Sequence, residues 1–286
     1  MMKILLSALI AAAGMLAPAM SAPALAQSGA AQQVVPLDHL PALAGDYFRH
    51  ESDAVGRAFH IYVRLPEGYA ENTDTRYPVV YVLDGDALFP ILAPTHLFLH
   101  YDDGLPEAII VGIAYGGFGP EINRRAYDYS APSSDDSEQY GGAPAFHRML
   151  ADELLPEIDR RFRTQPERRV LLGQSRGGAF ALWSAYLHPD LFWARLAINP
   201  AFDPGREIFF GTPRDGERND LHLMLVSGER DYEDLRRDAL AWAEVWRDRD
   251  DAPWTVSMIT LAGGTHAADS PNAYRAAMRW FFREEM

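Results

Sequence analysis

The residues best placed to do chemistry lie in Gly173-Gln174-Ser175-Arg176-Gly177-Gly178. The apolar run Val170-Leu171-Leu172 leads into them, and the helical pattern Ala179-Phe180-Ala181-Leu182-Trp183 follows. A serine on a tight strand-to-helix turn presents its hydroxyl as a nucleophile, and the strained backbone there needs small residues two positions before and after it. The competing reading is a helix-capping serine flanked by packing glycines. A hydroxyl attacks a carbonyl quickly near neutral pH only if a base removes its proton. Of the histidines beyond Ser175, His188 ends the helix before Pro189, as a C-terminal cap does, and His222 opens a predicted strand. His266, in Gly263-Gly264-Thr265-His266 after the last predicted strand, is the candidate base.

Such a histidine needs a carboxylate to accept its Nδ1 proton and stabilise the imidazolium. The turn after Leu223-Met224-Leu225-Val226 offers Ser227-Gly228-Glu229-Arg230-Asp231, with Asp231 as first candidate and Glu229 as the alternative. Arg230, between them, could instead pair with either one. The oxyanion that forms during attack needs at least two fixed donors. One is the backbone N–H of Arg176 at the start of the helix, where the macrodipole favours negative charge. The other is expected from the loop Asp84-Gly85-Asp86, after an earlier strand. Asp84 and Asp86 also have an Asp-x-Asp spacing, and His96 and His100 are four apart as on one helix face. Neither pair has a third ligand of clear spacing, so neither a metal nor a cofactor is expected.

These groups need a scaffold, and the pattern of the chain describes one. Short β-rich runs alternate with helical patterns, which predicts an α/β fold with a mostly parallel central sheet and helices on both faces. Strands are expected at 59–65, 78–83, 108–114, 169–172, 195–198, 222–226 and 255–261. Runs such as Val79-Val80-Tyr81-Val82-Leu83 suit central strands buried on both sides. Helices are expected at 145–162, 177–188, 233–247 and 272–283. The segments 115–142 and 202–220 are too long and polar to be plain connections. Both follow predicted strands, where loops surround the site of an open α/β sheet.

Composition narrows the function further. The chain has 286 residues, 26 basic and 40 acidic, for a net charge of −14, and 48% are hydrophobic. That supplies a large core and argues against a nucleic-acid partner, since no basic tract is present. The absence of cysteine excludes disulfides, thiolate metal sites and a cysteine nucleophile. The only lysine is Lys3; with the apolar stretch after it and the small-residue exit Ala24-Leu25-Ala26, residues 1–26 read as a secretory signal peptide cleaved before Gln27. A loose polar lead-in over 27–45 and a single catalytic domain over 46–286 follow. The expected location is periplasmic or secreted, with no stable membrane insertion after cleavage.

Taken together, the chain resembles the putative esterase family of the α/β-hydrolase superfamily, which includes esterase D-like, enterochelin-type and feruloyl esterases and the antigen 85-like mycolyltransferases. The resemblance rests on Tyr77-Pro78-Val79-Val80-Tyr81-Val82-Leu83-Asp84-Gly85, on Arg124-Arg125-Ala126-Tyr127-Asp128-Tyr129, on the Gly173–Gly178 turn and on Gly264-Thr265-His266. It implies an α/β-hydrolase fold, Ser175 as nucleophile, His266 as base, Asp231 as acid, and the Asp86 backbone N–H as the second oxyanion donor. It also implies a small-molecule ester as substrate. The chain departs from the family at Arg176, where a small or apolar residue is commoner. That side chain is expected either to favour an anionic substrate or to pair with Asp84 or Asp86. The leading expectation is a serine carboxylic ester hydrolase. An acyltransferase on the same scaffold, a serine peptidase and a catalytically inactive binding homologue are the alternatives.

Overall fold

Apolar runs in the middle of the chain become strands buried on both faces of one sheet. The computed structural model describes residues 40–132, 139–247, 249 and 251–286. Its strands are β1 (Gly45–Ser52), β2 (Arg57–Arg64), β3 (Tyr77–Val82), β4 (Ile109–Ala114), β5 (Thr164–Gln174), β6 (Ala194–Ile198), β7 (Leu221–Gly228) and β8 (Trp254–Leu261). They form one eight-stranded sheet in the order β1-β2-β4-β3-β5-β6-β7-β8. The β1–β2 and β2–β4 pairs are antiparallel, and every other pair is parallel.

The helices are α1 (Gly85–Asp103), α2 (Arg125–Asp128), α3 (Ala143–Arg148), α4 (Leu155–Arg161), α5 (Arg176–Leu187), α6 (Arg206–Phe209), α7 (Glu233–Arg247) and α8 (Ser270–Phe281). A π-helical stretch, Met149–Leu154, joins α3 to α4. Side chains alternate along each strand, so two cores form on opposite faces of the sheet. Val80, Val82, Ile110 and Leu172 pack with Leu88, Leu92, Tyr274 and Met278 of α1 and α8. Val79, Tyr81, Val111 and Leu171 pack with Phe146, Phe180 and Trp242 on the other side.

Each of the seven expected strands and four expected helices is present, with ends matching or displaced by up to five residues, and the helix expected at 145–162 divided into α3, the π-helical stretch and α4. Elements beyond the sequence reading are β1, α1 and the four-residue helices α2 and α6, which lie in the two long segments. The edge strand β1 is half polar, and only its alternate residues Phe48, His50 and Ser52 are buried, so it lacks an apolar run. Helix α1 contains Pro90 and Pro94, which ordinarily argue against a helix interior. Here its apolar residues are sandwiched between the sheet and α8, and packing outweighs two lost backbone hydrogen bonds.

The signal peptide expected over 1–26, and the lead-in as far as 39, lie outside the described residues. Residues 40–45 are not loose: they carry a 3-10 turn (Pro41–Leu43), the buried Leu43 and the start of β1. Among the described residues no helix is long and apolar enough to cross a membrane.

His96 and His100 sit on α1, but their ring nitrogens are engaged elsewhere. His96 is fully buried, with Nε2 3.0 Å from the Pro106 carbonyl oxygen and Nδ1 2.8 Å from the Tyr274 hydroxyl. A carbonyl only accepts, so Nε2 carries the proton and Nδ1 accepts from Tyr274. Burial pushes the His96 pKa down to about 4. His100 Nδ1 donates to the Leu105 carbonyl at 2.6 Å, closing the end of α1.

Candidate active site

The carboxyl ends of the parallel strands deliver the site. Ser175 follows β5 and precedes α5 with φ 59° and ψ −116°, a strained conformation that lifts its side chain out of the turn. The glycines flanking it differ in what they do. A Cβ at Gly173 would lie 2.1 Å from the Gly177 carbonyl oxygen, so nothing larger fits. A Cβ at Gly177 would lie 3.1 Å from the Asp84 carboxylate and 3.5 Å or more from the Leu83 side chain. Gly178 is the tighter of the two later positions, where a Cβ would lie 2.9 Å from the Ile198 carbonyl oxygen.

His266 and Asp231 come from the loops after β8 and β7. His266 Nδ1 lies 2.7 Å from Asp231 Oδ1, and the Asp231 side chain is almost entirely buried. A carboxylate only accepts, so Nδ1 carries the proton and Nε2 is left with a free lone pair. Asp231 Oδ1 also accepts the Tyr232 N–H at 2.7 Å. Glu229 points away and accepts the Gly263 N–H at 2.7 Å. Arg230 forms no ion pair with either carboxylate; its N–H donates to the Gly264 carbonyl. Ser175 and His266 face a single cleft of about 550 Å³, shared with Asp86, Arg125, Ile91 and Phe118. No hydrogen bond joins Ser175 to His266; hydrogen bonds of this kind often tighten only in the complex with substrate.

Two helix N-termini converge above the serine. Arg176 is the first residue of α5 and Asp86 the second of α1, so neither backbone N–H has an acceptor four residues earlier. The dipoles of both helices favour negative charge at this point. The Asp86 carboxylate is engaged in positioning its own loop, accepting the Tyr115 and Gly116 N–H groups at 2.8 Å each. Asp84 is held by a fork from Arg125, with Nε 2.6 Å from Oδ1 and Nη2 2.9 Å from Oδ2. Burial pushes the Asp84 carboxyl above its ordinary pKa even so. With both carboxylates occupied in this way, the Asp-x-Asp spacing serves loop geometry.

Arg125, Asn199 and Gln174 also shape the site, and none of them has that role assigned by its neighbours in the chain. Arg125 also donates to the Gln174 carbonyl at 3.2 Å, tying the Asp84 loop to the residue before the serine. Asn199, at the end of β6, donates from Nδ2 to the Thr265 and His266 carbonyls at 3.0 and 2.7 Å, and its Oδ1 accepts the Gly228 N–H at 2.7 Å. Gln174 Nε2 donates to the same His266 carbonyl at 2.7 Å. Arg125 belongs to the Arg124–Tyr129 run noted in the sequence, whereas Asn199 stands in no pattern. Arg176 pairs with neither Asp84 nor Asp86. Its guanidinium donates to the Asp203 carbonyl at 2.7 Å and stacks on Tyr140, 4.8 Å from the ring centre.

The sheet order and the serine turn between β5 and α5 define an α/β-hydrolase fold. Residues 52–274 match the family model described as Putative esterase, and the chain belongs to that family. It is similar to the ferri-bacillibactin esterase BesA of Bacillus subtilis, 28% identical over 195 residues that cover 60% of this chain and 66% of the relative. It is also similar to the apo-salmochelin esterase of Escherichia coli O6:H1, 28% identical over 194 residues, covering 63% of this chain and 59% of that one. Both aligned stretches thus span less than two thirds of the relatives' own lengths. Among solved structures, an IroE-like serine hydrolase from Shewanella oneidensis superposes with a TM-score of 0.71 at 24% identity, covering 84% of this chain and 81% of the other.

Proposed function

We propose that the chain is a serine carboxylic ester hydrolase that works through an acyl-enzyme on Ser175. The observation that carries this reading is the His266–Asp231 pair at 2.7 Å, facing the same cleft as the strained Ser175. Ser175 Oγ attacks the ester carbonyl carbon while its proton passes to His266 Nε2. The carbonyl oxygen, now negative, accepts from the Arg176 and Asp86 backbone N–H groups. The C–O bond to the alcohol then breaks, and His266 returns the proton to the departing oxygen. Water enters, gives a proton to His266 and attacks the acyl carbon; the acid leaves and Ser175 recovers its hydrogen. Asp231 keeps the imidazole oriented and balances its charge throughout.

The named relatives make siderophore esters the first natural substrate class to test, and the layout of residues 1–26 supports action outside the cytoplasm. Residues 46–286 form the catalytic domain in this reading. The test is hydrolysis of p-nitrophenyl acetate and of a catecholate siderophore ester by the chain and by Ser175→Ala. Loss of turnover by about three orders of magnitude or more is expected. A Ser175→Ala protein as fast as the parent would overturn the assignment.

A further inference from the structure

A second cavity, of about 350 Å³, adjoins the cleft and is lined by Leu43, Tyr62, Phe89, Pro90 and Phe118 beside the Gly85-Asp86 backbone. It shares Asp86 and Phe118 with the cleft but contains neither Ser175 nor His266. We propose that this cavity is the acyl subsite, taking an uncharged acyl group of about the size of a benzoyl ring. The inference rests on the ester-hydrolase reading above and deepens it.

The direction follows from the chemistry. His266 must hand its proton to the leaving oxygen, so the alcohol lies on the side of His266 and its neighbours Ala267 and Ala268. The carbonyl oxygen points at the Asp86 N–H, so the substituent on the acyl carbon lies within a bond or two of Asp86. From there the adjoining cavity is the open route. Its character is set by what its walls do. The Tyr62 and Phe89 rings pack together with centres 5.7 Å apart and planes 29° apart, an aromatic pair in the cavity wall. The single carboxylate at the mouth, Asp86, is already bonded to two backbone N–H groups, and no cationic side chain lines the cavity. A charged acyl group would therefore find no partner and lose its hydration, whereas a flat apolar one would bury its faces. The volume is at the small end of the roughly 300–1,000 Å³ usual for ligand sites and is ample for one ring, since a cavity of about 150 Å³ can hold benzene. Phe118 is 75% exposed, an apolar side chain at the junction of cleft and cavity that a bound acyl group would cover.

The test uses two substrate series on the full chain. One varies the acyl group with p-nitrophenol fixed (acetate, butyrate, benzoate, decanoate), and the other varies the alcohol with acetate fixed. The parent is expected to prefer benzoate to acetate. Leu43→Trp, which fills the cavity, is expected to lower the benzoate-to-acetate ratio of kcat/KM by about tenfold or more, the scale on which steric mismatch in a pocket is read. Phe118→Ala, at an exposed position, is expected to lower that ratio by about threefold, with the ranking of alcohols unchanged. Two variants that keep the parental acyl ratio would overturn the proposal. So would a changed alcohol ranking beside an unchanged acyl ratio, because the cavity would then hold the leaving group. Failure of the parent to hydrolyse any ester would sink the hydrolase reading itself and the subsite with it.

Discussion

Replacing Arg125 by Met tests whether the fork on Asp84 holds the site together. The substitution removes two charge-assisted hydrogen bonds to Asp84, at 2.6 and 2.9 Å, and a third to the Gln174 carbonyl at 3.2 Å. It leaves a mostly buried carboxylate with no cation beside it. Breaking a buried pair costs about 3–5 kcal/mol, and the low end applies because both side chains retain some exposure, 29% for Arg125 and 14% for Asp84. A loss of about 3 kcal/mol in a chain of this size lowers Tm by roughly 6–12 °C. The loss depends on pH in a defined direction. Burial already raises the Asp84 pKa in the folded state, and removing Arg125 raises it further. A carboxyl that binds its proton more tightly when folded contributes stability at low pH, which is lost as pH rises through the folded pKa. The deficit of Arg125→Met is therefore larger at pH 8 than at pH 5.

Activity falls for a separate reason. Asp84 and Gln174 immediately precede the two turns that supply the Asp86 and Arg176 N–H groups, and small displacements of such donors cost about tenfold to a hundredfold in kcat. Thermal unfolding at pH 5 and pH 8, with kcat/KM on p-nitrophenyl acetate, reads both effects. Adding Asp84→Asn removes the orphaned charge and suits the left-handed backbone at this position, φ 54°, so the double variant should be more stable at pH 8 than Arg125→Met alone. An Arg125→Met protein with parental Tm at pH 8, or a double variant that recovers nothing, would refute the reasoning.

Asp231→Asn should reduce kcat by about a thousandfold or more, because the amide cannot balance the imidazolium and favours the wrong tautomer. Glu229→Gln, which touches only the Gly263 N–H, should stay within about threefold; the reverse ranking in a steady-state assay would make Glu229 the acid. Asn199→Ala removes the Nδ2 hydrogen bonds to the Thr265 and His266 carbonyls, leaving Gln174 Nε2 on the latter, and should lower kcat about tenfold to a hundredfold with little change in KM, since the loss is one of positioning. His96 has a folded pKa lowered to about 4, so its contribution is full above pH 6.5 and is lost as pH falls toward 4, up to about 3 kcal/mol. Urea unfolding between pH 7 and pH 4 should show a shallower decline for His96→Gln than for the parent.

What could be read from the sequence divides by range. The serine turn, the candidate base and both candidate acids are local patterns, each a few residues long and each anchored to an apolar strand. Asp231 and Glu229 differ by two positions, yet only the fold decides which one meets His266. The turn after β7 sends alternate side chains to opposite sides, toward His266 and toward Gly263. Helix α1 escaped detection because its helicity is imposed by burial between the sheet and α8, against the local preference of Pro90 and Pro94. The partners of the site are more distant still. Arg125 reaches Asp84 across 41 residues, and Asn199 reaches His266 across 67, separations at which spacing carries no signal. Arg176 shows the same limit from the other side. Its neighbours in the chain suggested a carboxylate partner, while the fold brings it the Asp203 carbonyl and the Tyr140 ring.

Backbone strain marks the site independently of any side-chain pattern. Among the described residues three non-glycine positions have left-handed φ, namely Asp84 at 54°, Ser175 at 59° and Asn199 at 44°. They end β3, β5 and β6, which are neighbours in the sheet. Each conformation costs on the order of 1–3 kcal/mol and persists only where surrounding bonds over-determine it. Asp84 is held by Arg125, Ser175 by its N–H on the Ile198 carbonyl at 2.8 Å, and Asn199 by its N–H on the Val226 carbonyl at 2.7 Å. A strand crossing from sheet to loop has no need of such a conformation, and glycine would adopt it without strain. Glycine would, however, supply no hydroxyl at 175, no carboxylate for Arg125 at 84 and no amide for the His266 loop at 199. The strain thus accompanies three polar side chains placed at the same edge, and it picks out the candidate site on the sheet without reference to the catalytic pattern.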